Sequence, residues 1–384
     1  MSGAFDAILI GAGSVGVPTA LALAEAGLRT LVLDAGASVG QGAHKAAIGG
    51  VRATHGDPAK IRIGRESLQA FATWQERHGD DIEWVTGGYA FVAYREAEEL
   101  AFRRLLREQK RYGLDIDWLD ADELLERVPD LLREGLRGGT FSPGDGHCST
   151  LLAGQAMAAA ARRAGAVFRY GERVLELLES GGRVLGVSTD RDRYSAPVVI
   201  NAAGAGAAAV ARMAGEELAV VPELHEAGIT EPVAPFLRPL VVDVRPGPGS
   251  ANVYCYQNRF GQVIFCLTPD PPVYGDDLSD TSEFLPLVAD RLLRLIPRLQ
   301  HVRVRRTWRG VYPMTPDGSP LLGWSERLEG LLHAVGMCGQ GLMLGPGVGA
   351  LIARMLQGRL AEGDDEVLRA WSPARAFVGQ EVLR

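Results

Sequence analysis

Cysteine is scarce: Cys148, Cys255, Cys266 and Cys338 are scattered over 384 residues with no CxxC and no Cys/His spacing of a zinc site. That excludes a disulfide-framework protein, supplies no metal-ligand set and fits a reducing compartment. Long apolar runs are missing as well. No stretch of 18 uninterrupted apolar residues occurs, so no transmembrane span is expected. The first apolar run, Ala7-Ile8-Leu9-Ile10, follows an acid, Asp6, rather than a basic segment, and is too short for a signal-peptide core. The expected location is the cytoplasm. Charge of one sign is not concentrated either: the formal net charge is −7, with no block of five like charges. An electrostatic nucleic-acid footprint and a polybasic membrane patch are both disfavoured. No sequence repeat is present.

What the chain has is glycine, 48 residues or one in eight, gathered at 11–16, 36–50, 135–146, 204–206 and 336–349 beside apolar runs. This is the distribution of cofactor loops and not of low complexity. A hydrophobic content of 47% over this length buries a large core and predicts two lobes. Residues 5–34 read as a βαβ unit: the buried strand AFDAILI, a glycine turn, a helix ended by Gly27, and the strand LRTLVLD. Pro18 is tolerable if the helix starts near Gly13 or Ser14, because first-turn amides have no intrahelical acceptor to lose.

The turn Gly11-Ala12-Gly13-Ser14-Val15-Gly16 has the dinucleotide pattern. Gly11 permits the tight turn, Gly13 lets a phosphate approach the backbone, and Gly16 lets the helix pack closely on the strand. A pyrophosphate would then meet the helix N-terminus. Asp34, 18 residues after Gly16 and followed by Ala35, ends the second strand, where a carboxylate accepts from ribose hydroxyls and repels a 2′-phosphate. This fingerprint does not by itself choose between NAD and FAD. Its place at the N-terminus, the interruption of the α/β lobe and a second glycine cluster near the other end favour FAD, whose extended form needs distant segments.

Further along, a helical pattern from about 58 to 79 places Ile61, Leu68, Phe71 and Trp74 inward. YAFVAY reads as a strand and 96–112 as an amphipathic helix. A second α/β run from Leu151 holds a helix, two strands joined at Gly181-Gly182 and a third ending in AAGAG. From Val220 to about Arg306 four strands separated by Pro/Gly turns predict an antiparallel sheet. The last part offers the turn TPDGSP, the strand LLHAVGM, a glycine loop and the helix PGVGALIARMLQG.

The segments AILIGAGSVGVPTALALAEAGLRTLVLD, GGVRATHGD, DGHCSTLLAGQAMAAAARRAGA, VVINAAGAGA, RTWRGVYPMTPDGSPLLGW and GMCGQGLMLGPGVGALIARML resemble, in this order, the D-amino-acid oxidase superfamily of flavoproteins. The resemblance is to its branch of sarcosine oxidase β subunits, dye-linked proline dehydrogenase β subunits and glycine oxidases. It implies an α/β (α+β overall) fold: a Rossmann-like FAD-binding domain of glutathione-reductase type over 1–87, 143–217 and 309–384, and an inserted antiparallel-sheet substrate domain over 88–142 and 218–308. It implies oxidation of a C–H bond next to nitrogen in a secondary or tertiary amino acid, by hydride transfer to flavin N5, giving an imine that hydrolyses. By motif position Val174 resembles the residue at the adenine, Ala203 and Gly204 border FAD, and Gly339-Gln340-Gly341-Leu342-Met343 faces the isoalloxazine.

This sequence departs from its relatives at three points. Met343 stands near the position where several carry a carboxylate-binding lysine. Tyr312-Pro313-Met314 offers no cysteine for a thioether, so FAD is expected to be non-covalent. The common GFSGHG is here Gly336-Met337-Cys338-Gly339-Gln340-Gly341, an amide in place of an imidazole.

Hydride transfer asks chiefly for positioning. Arg52 is the candidate anchor for a substrate carboxylate, because a guanidinium matches it bidentately; the alternative is an arginine that pins its own loop or a flavin oxygen. His225 is a candidate proton acceptor or a sheet-capping histidine. Tyr254 and Tyr256 share a strand face, where a hydroxyl could orient a carboxylate or both rings could be core. His44 and Lys45 are candidates for FAD contact, partner attachment or a solvated loop. Asp317 is expected to stabilise its turn. Electron acceptors consistent with the resemblance are dioxygen, a quinone or a partner flavoprotein subunit, and both homo- and hetero-oligomers are open. Two other activities stay open: oxidation of a 2-hydroxy acid, and a flavin-bearing electron-transfer subunit of a heteromeric dehydrogenase.

Overall fold

The computed structural model describes residues 4–379 and Leu383. Its fold is mixed α/β and is organised around two large sheets. The first has six strands in the order Leu321–Trp324, Leu331–Val335, Val199–Asn201, Ala7–Ile10, Thr30–Asp34 and Val167–Tyr170. Every neighbouring pair is parallel except the antiparallel pair Leu321–Trp324 and Leu331–Val335. Ala7–Ile10 is buried along its whole length, which is why it reads as an unbroken apolar run instead of an alternating one.

The helix Gly16–Glu25 leaves this sheet with Pro18 as its third residue, where no intrahelical hydrogen bond is lost. The long helix Gly341–Gln357 crosses it closely. A Cβ on Gly345 would stand 1.9 Å from the Ser14 carbonyl oxygen, and one on Gly349, a turn later, 2.8 Å from the Pro18 backbone. These two glycines share one face of their helix, and the contact sets the two helix N-termini side by side.

The second sheet has eight strands: Val304–Met314, Val221–Pro232, Gln262–Pro269, Ser250–Gln257, Leu240–Asp243, Tyr89–Ala93, Gly138–Ser142 and Asp117–Asp120. Alternation splits its central strand. Val253 and Cys255 face a core with helix Phe284–Leu295, whereas Tyr254 and Tyr256 face the other side with Tyr89, Phe91 and Leu240.

Several local expectations are corrected. The two strands are joined at Gly181-Gly182 and, with Arg193–Ser195, form a separate three-stranded antiparallel sheet, while Val167–Tyr170, not foreseen as a strand, takes the edge of the parallel sheet. The helical stretch 58–79 breaks at Thr73 into Pro58–Ala72 and Trp74–His78. The last long helix begins at Gly341 and carries Pro346 inside it. Helix Phe284–Leu295 was not expected; its Pro286 lies in the first turn, where proline is tolerated. Leu240–Asp243 pairs parallel with Tyr89–Ala93, the one parallel ladder in the otherwise antiparallel sheet. Val304–Met314 runs unbroken through position 308, pairing along Val221–Pro232.

Candidate active site

A cavity of about 340 Å³ opens between the sheets. It is lined by Gly11, Gly13, Ser14, Val15 and Asp34, by Ala203 and Gly204, and by Tyr312, Gly339, Gly341 and Leu342. The glycines have distinct roles. Gly11 is at φ 114°, and a Cβ there would meet the Ala202 carbonyl oxygen at 2.5 Å. A Cβ on Gly16 would stand 1.9 Å from the Gly11 carbonyl oxygen, whereas Gly13 has open space before it. Two helix N-termini therefore reach the same cavity, each with first-turn amides lacking intrahelical acceptors.

Asp34 binds the loop from below: the Ala12 amide donates to Oδ2 and the Gly36 amide to Oδ1, both at 2.6 Å. A carboxylate has about four acceptor positions, so these two donors do not exhaust it, and Asp34 also lines the cavity. His44 is buried, which removes the solvated-loop alternative for it. Its Nε2 lies 2.8 Å from the Thr150 carbonyl oxygen and its Nδ1 2.8 Å from Ser14 Oγ. A carbonyl only accepts, so Nε2 carries the proton. Burial lowers the imidazole's pKa, so Nδ1 accepts from Ser14 and fixes that hydroxyl over the glycine loop. Loop, acid and paired helix ends fit an extended dinucleotide.

The other expected cofactor residues spread further. Lys45 is exposed and lines a neighbouring cavity of about 260 Å³ with Trp308 and Tyr256. Ala35 is exposed beyond Asp34. Val174 is buried against Ile8, Leu31 and Leu33 under the parallel sheet. Met343 packs half-buried on the helix core, and Gln340 is buried with its Oε1 unpartnered among the described residues.

Next to the cavity, the segment Ile48–Arg52 leads to the eight-stranded sheet. Gly49 and Gly50 pass so closely that a Cβ would meet the Tyr256 and Tyr89 hydroxyls at 3.0 and 2.6 Å. Tyr256 spends its hydroxyl on the Ile48 carbonyl, and Tyr254 pairs with Tyr312, hydroxyl to hydroxyl, at 3.0 Å. Arg52 is buried, with its guanidinium carbon 5.4 Å from the Phe91 ring centre and 5.9 Å from that of Tyr89. Nη1 donates to the Thr54 carbonyl and lies 3.1 Å from His55 Nδ1. Nη2 donates to the Leu383 carbonyl at 2.6 Å. The loop is held by Asp145, which accepts from the Ala53 amide at 3.0 Å and Thr54 Oγ1 at 2.7 Å. Burial pushes this carboxyl up to about 6 despite those hydrogen bonds.

His225 is buried with Nε2 2.9 Å from Glu223 Oε1, and its ring lies parallel to that of Tyr312 at 3.8 Å. The carboxylate accepts the Nε2 proton, so in the neutral ring Nδ1 carries the lone pair; it has no partner among the described residues. Tyr312 and Glu223 were not singled out from sequence. The signal was present, since Glu223 and His225 are two apart on one strand and so share a face. Tyr312 joins the two regions: it lines the cavity, and its ring closes on Gly339, where a Cβ would stand 2.2 Å away. Asp317 holds its turn as expected, accepting from the Ser319 amide at 3.1 Å and bidentately from Arg375 at 2.8 Å. Among the described residues no cluster of His, Cys, Asp and Glu could hold a metal, and no helix is long and apolar enough to cross a membrane.

Residues 6–355 match the family described as FAD dependent oxidoreductase. Glycine oxidase of Geobacillus kaustophilus (strain HTA426) is 28% identical over 365 residues, which span 93% of this chain and 94% of that protein. Mitochondrial sarcosine dehydrogenase of Homo sapiens is 25% identical over 371 residues, 91% of this chain but 39% of that longer protein. The solved structure of L-proline dehydrogenase from P. horikoshii superposes with a TM-score of 0.90 at 27% identity, covering 98% of both chains.

Proposed function

This chain belongs to the FAD-dependent oxidoreductase family, and on that premise we propose that it oxidises the C–H bond beside nitrogen in a secondary or tertiary amino acid, sarcosine-, proline- or glycine-like, to an imine that hydrolyses. In this reading residues 1–87, 143–217 and 309–384 form the FAD-binding domain, of the glutathione-reductase type, and 88–142 with 218–308 form the inserted substrate domain. When bound, FAD supplies a two-electron acceptor at N5. The glycine loop and Asp34 hold the ADP half, and the first turn of helix Gly341–Gln357 offers amides to the negative charge that reduction places on the flavin pyrimidine. FAD is held without a covalent bond, consistent with the lack of cysteine at 312–314.

The observation that carries the substrate reading is a buried guanidinium, Arg52, set against the rings of Phe91 and Tyr89 on the segment that runs on from Ala47 of the cavity wall. It is the natural partner of a carboxylate, and the rings suit a compact apolar body. His225, oriented by Glu223, takes the proton of the substrate ammonium at Nδ1, leaving the neutral amine that hydride loss requires. Dioxygen, a quinone or a partner flavoprotein subunit takes the electrons onward.

The deciding experiment is anaerobic reduction of the bound flavin across glycine, sarcosine, dimethylglycine, both prolines and lactate. Bleaching by one or more amino acids is expected. Bleaching by lactate alone would make the chain a 2-hydroxy-acid oxidoreductase, and bleaching by none would leave an electron-transfer subunit. If Arg52→Ala left the half-saturating concentration of the active amino acid unchanged, the carboxylate anchor would be elsewhere.

A further inference from the structure

Two strands of the parallel sheet end at the cofactor cavity and share a buried pair of polar side chains there. Val199–Asn201 runs on into residues 202–206, and Leu331–Val335 into Gly336 and Met337, all of which line the cavity. Asn201 stands opposite His333 in the ladder, and both are fully buried. Their polar atoms form one directed chain. Glu216 Oε2 lies 3.0 Å from His333 Nε2, His333 Nδ1 lies 3.2 Å from Asn201 Nδ2, and Asn201 Oδ1 accepts from the Ala203 amide at 3.3 Å. Asn201 Nδ2 also donates to the Ala207 carbonyl at 3.0 Å. Burial works against the charge of Glu216, but hydrogen bonds from His333 and Ser325 outweigh it and hold the carboxyl below its usual range. A carboxylate only accepts, so the ring proton sits on Nε2 and Nδ1 accepts from the asparagine. This leaves the Asn201 amide one orientation, with its oxygen toward the turn that lines the cavity.

We propose that His333 is a positioning residue for FAD: its neutral ring fixes the amide of Asn201, and through it the turn 202–206, and proton uptake by the ring loosens the cofactor. A protonated imidazole carries N–H at both nitrogens, so Nδ1–H would face the N–H of Asn201. The amide must turn over to accept from it, which takes its oxygen from the Ala203 amide and its nitrogen from the Ala207 carbonyl. Both ties between the strand end and the cofactor turn are lost in that one step. Burial lowers the pKa of His333 below its ordinary 6.5 against the pull of Glu216, so the ring is neutral at about pH 7 and above and the loss comes on acidification. Among the described residues Glu216 is the one charged group that acts on the ring. Its neighbours across the sheet are Gly323 and Asn201, and on its face of the strand Val335 packs with Ala207 and Ala211 of the covering helix.

The test dilutes the FAD-loaded full chain at values from about pH 8 to about pH 5 and reads the dissociation constant of FAD from the fluorescence of the released flavin. In the wild type the constant should rise about tenfold over that range, the effect of losing one to two hydrogen bonds that hold the turn. His333→Gln can donate to Glu216 and accept from Asn201 without titrating. It should bind FAD within about threefold of the wild type at the upper end and keep that affinity at the lower end. Glu216→Gln removes the charge that favours the protonated ring, so its loss of FAD should set in at lower pH than in the wild type. Glu216 is only half-buried, and this second form keeps the test decisive if His333→Gln folds poorly. A histidine that served packing alone would give neither the flat profile nor the shift. Release of FAD by the wild type and His333→Gln in parallel as the pH falls would overturn the proposal, and so would an unmoved midpoint in Glu216→Gln.

Discussion

The two ends of the site are built in opposite ways. The dinucleotide end is backbone: six consecutive residues, Gly11 to Gly16, and a carboxylate at Asp34 form it, and what matters is side chains that are missing. The proposed substrate end is side chains drawn from Arg52, Tyr89, His225, Tyr254 and Tyr312, and its Tyr254–Tyr312 hydroxyl pair joins residues 58 apart. A backbone site tolerates almost no added atom. A side-chain site can be retuned one group at a time, which is how one fold serves many substrates.

The largest break in this contrast is expected at Gly16. Its Cβ would lie 1.9 Å from the Gly11 carbonyl oxygen, so Gly16→Val must push the loop off the helix end. FAD affinity should fall roughly 100-fold, as expected for overpacking of a close contact, and the purified protein should carry little flavin absorbance. At the substrate end the corresponding change leaves the flavin in place. His225→Asn should retain full flavin content but slow anaerobic reduction by the active amino acid about 100-fold, the loss typical of a general base. Glu223→Gln should slow it about tenfold, because it orients His225 and does not touch the amine. Unaltered reduction rates in His225→Asn would remove it from the chemistry.

The same contrast explains what could be read from sequence. Gly11, Gly13, Gly16 and Asp34 were legible because their spacing in the chain is their spacing in the site. Tyr254 and Tyr256 could be named as candidates from strand alternation, and His225 from its place at the entry of the sheet, but not their partners. That Tyr254 pairs with Tyr312 depends on the order in which strands enter the sheet, which spacing along the chain does not give. Strands Val174–Ser180 and Arg183–Thr189 and their join at Gly181-Gly182 were legible, but not that they stand apart in a sheet of their own with Arg193–Ser195, since alternation reports burial on one face and not the neighbour that covers it.

A smaller effect links the Arg52 loop to pH. Burial raises Asp145 from its ordinary 3.8 to about 6, so between those values the folded chain holds a proton the unfolded chain has released. Its contribution to stability is complete below about 4 and is lost as pH rises to about 6, on the order of 2–3 kcal/mol over that span. Asp145→Asn, measured by chemical denaturation from pH 4 to 7, should remove that part of the slope. A slope identical to the wild type would assign it to other groups.

The smallest effect tests the join between the two ends. Tyr254 and Tyr312 share one hydroxyl pair at 3.0 Å, and Tyr312 also lies against Gly339 in the cofactor cavity. Tyr254→Phe removes about 1 kcal/mol of hydrogen bonding and should raise the half-saturating amino-acid concentration about fivefold with flavin content unchanged. Tyr312→Phe breaks the same bond, so the double variant should be little worse than either single one. Effects that simply multiplied would mean that each hydroxyl acts on a different partner, and the two ends of the site would then be coupled through the ring of Tyr312 alone.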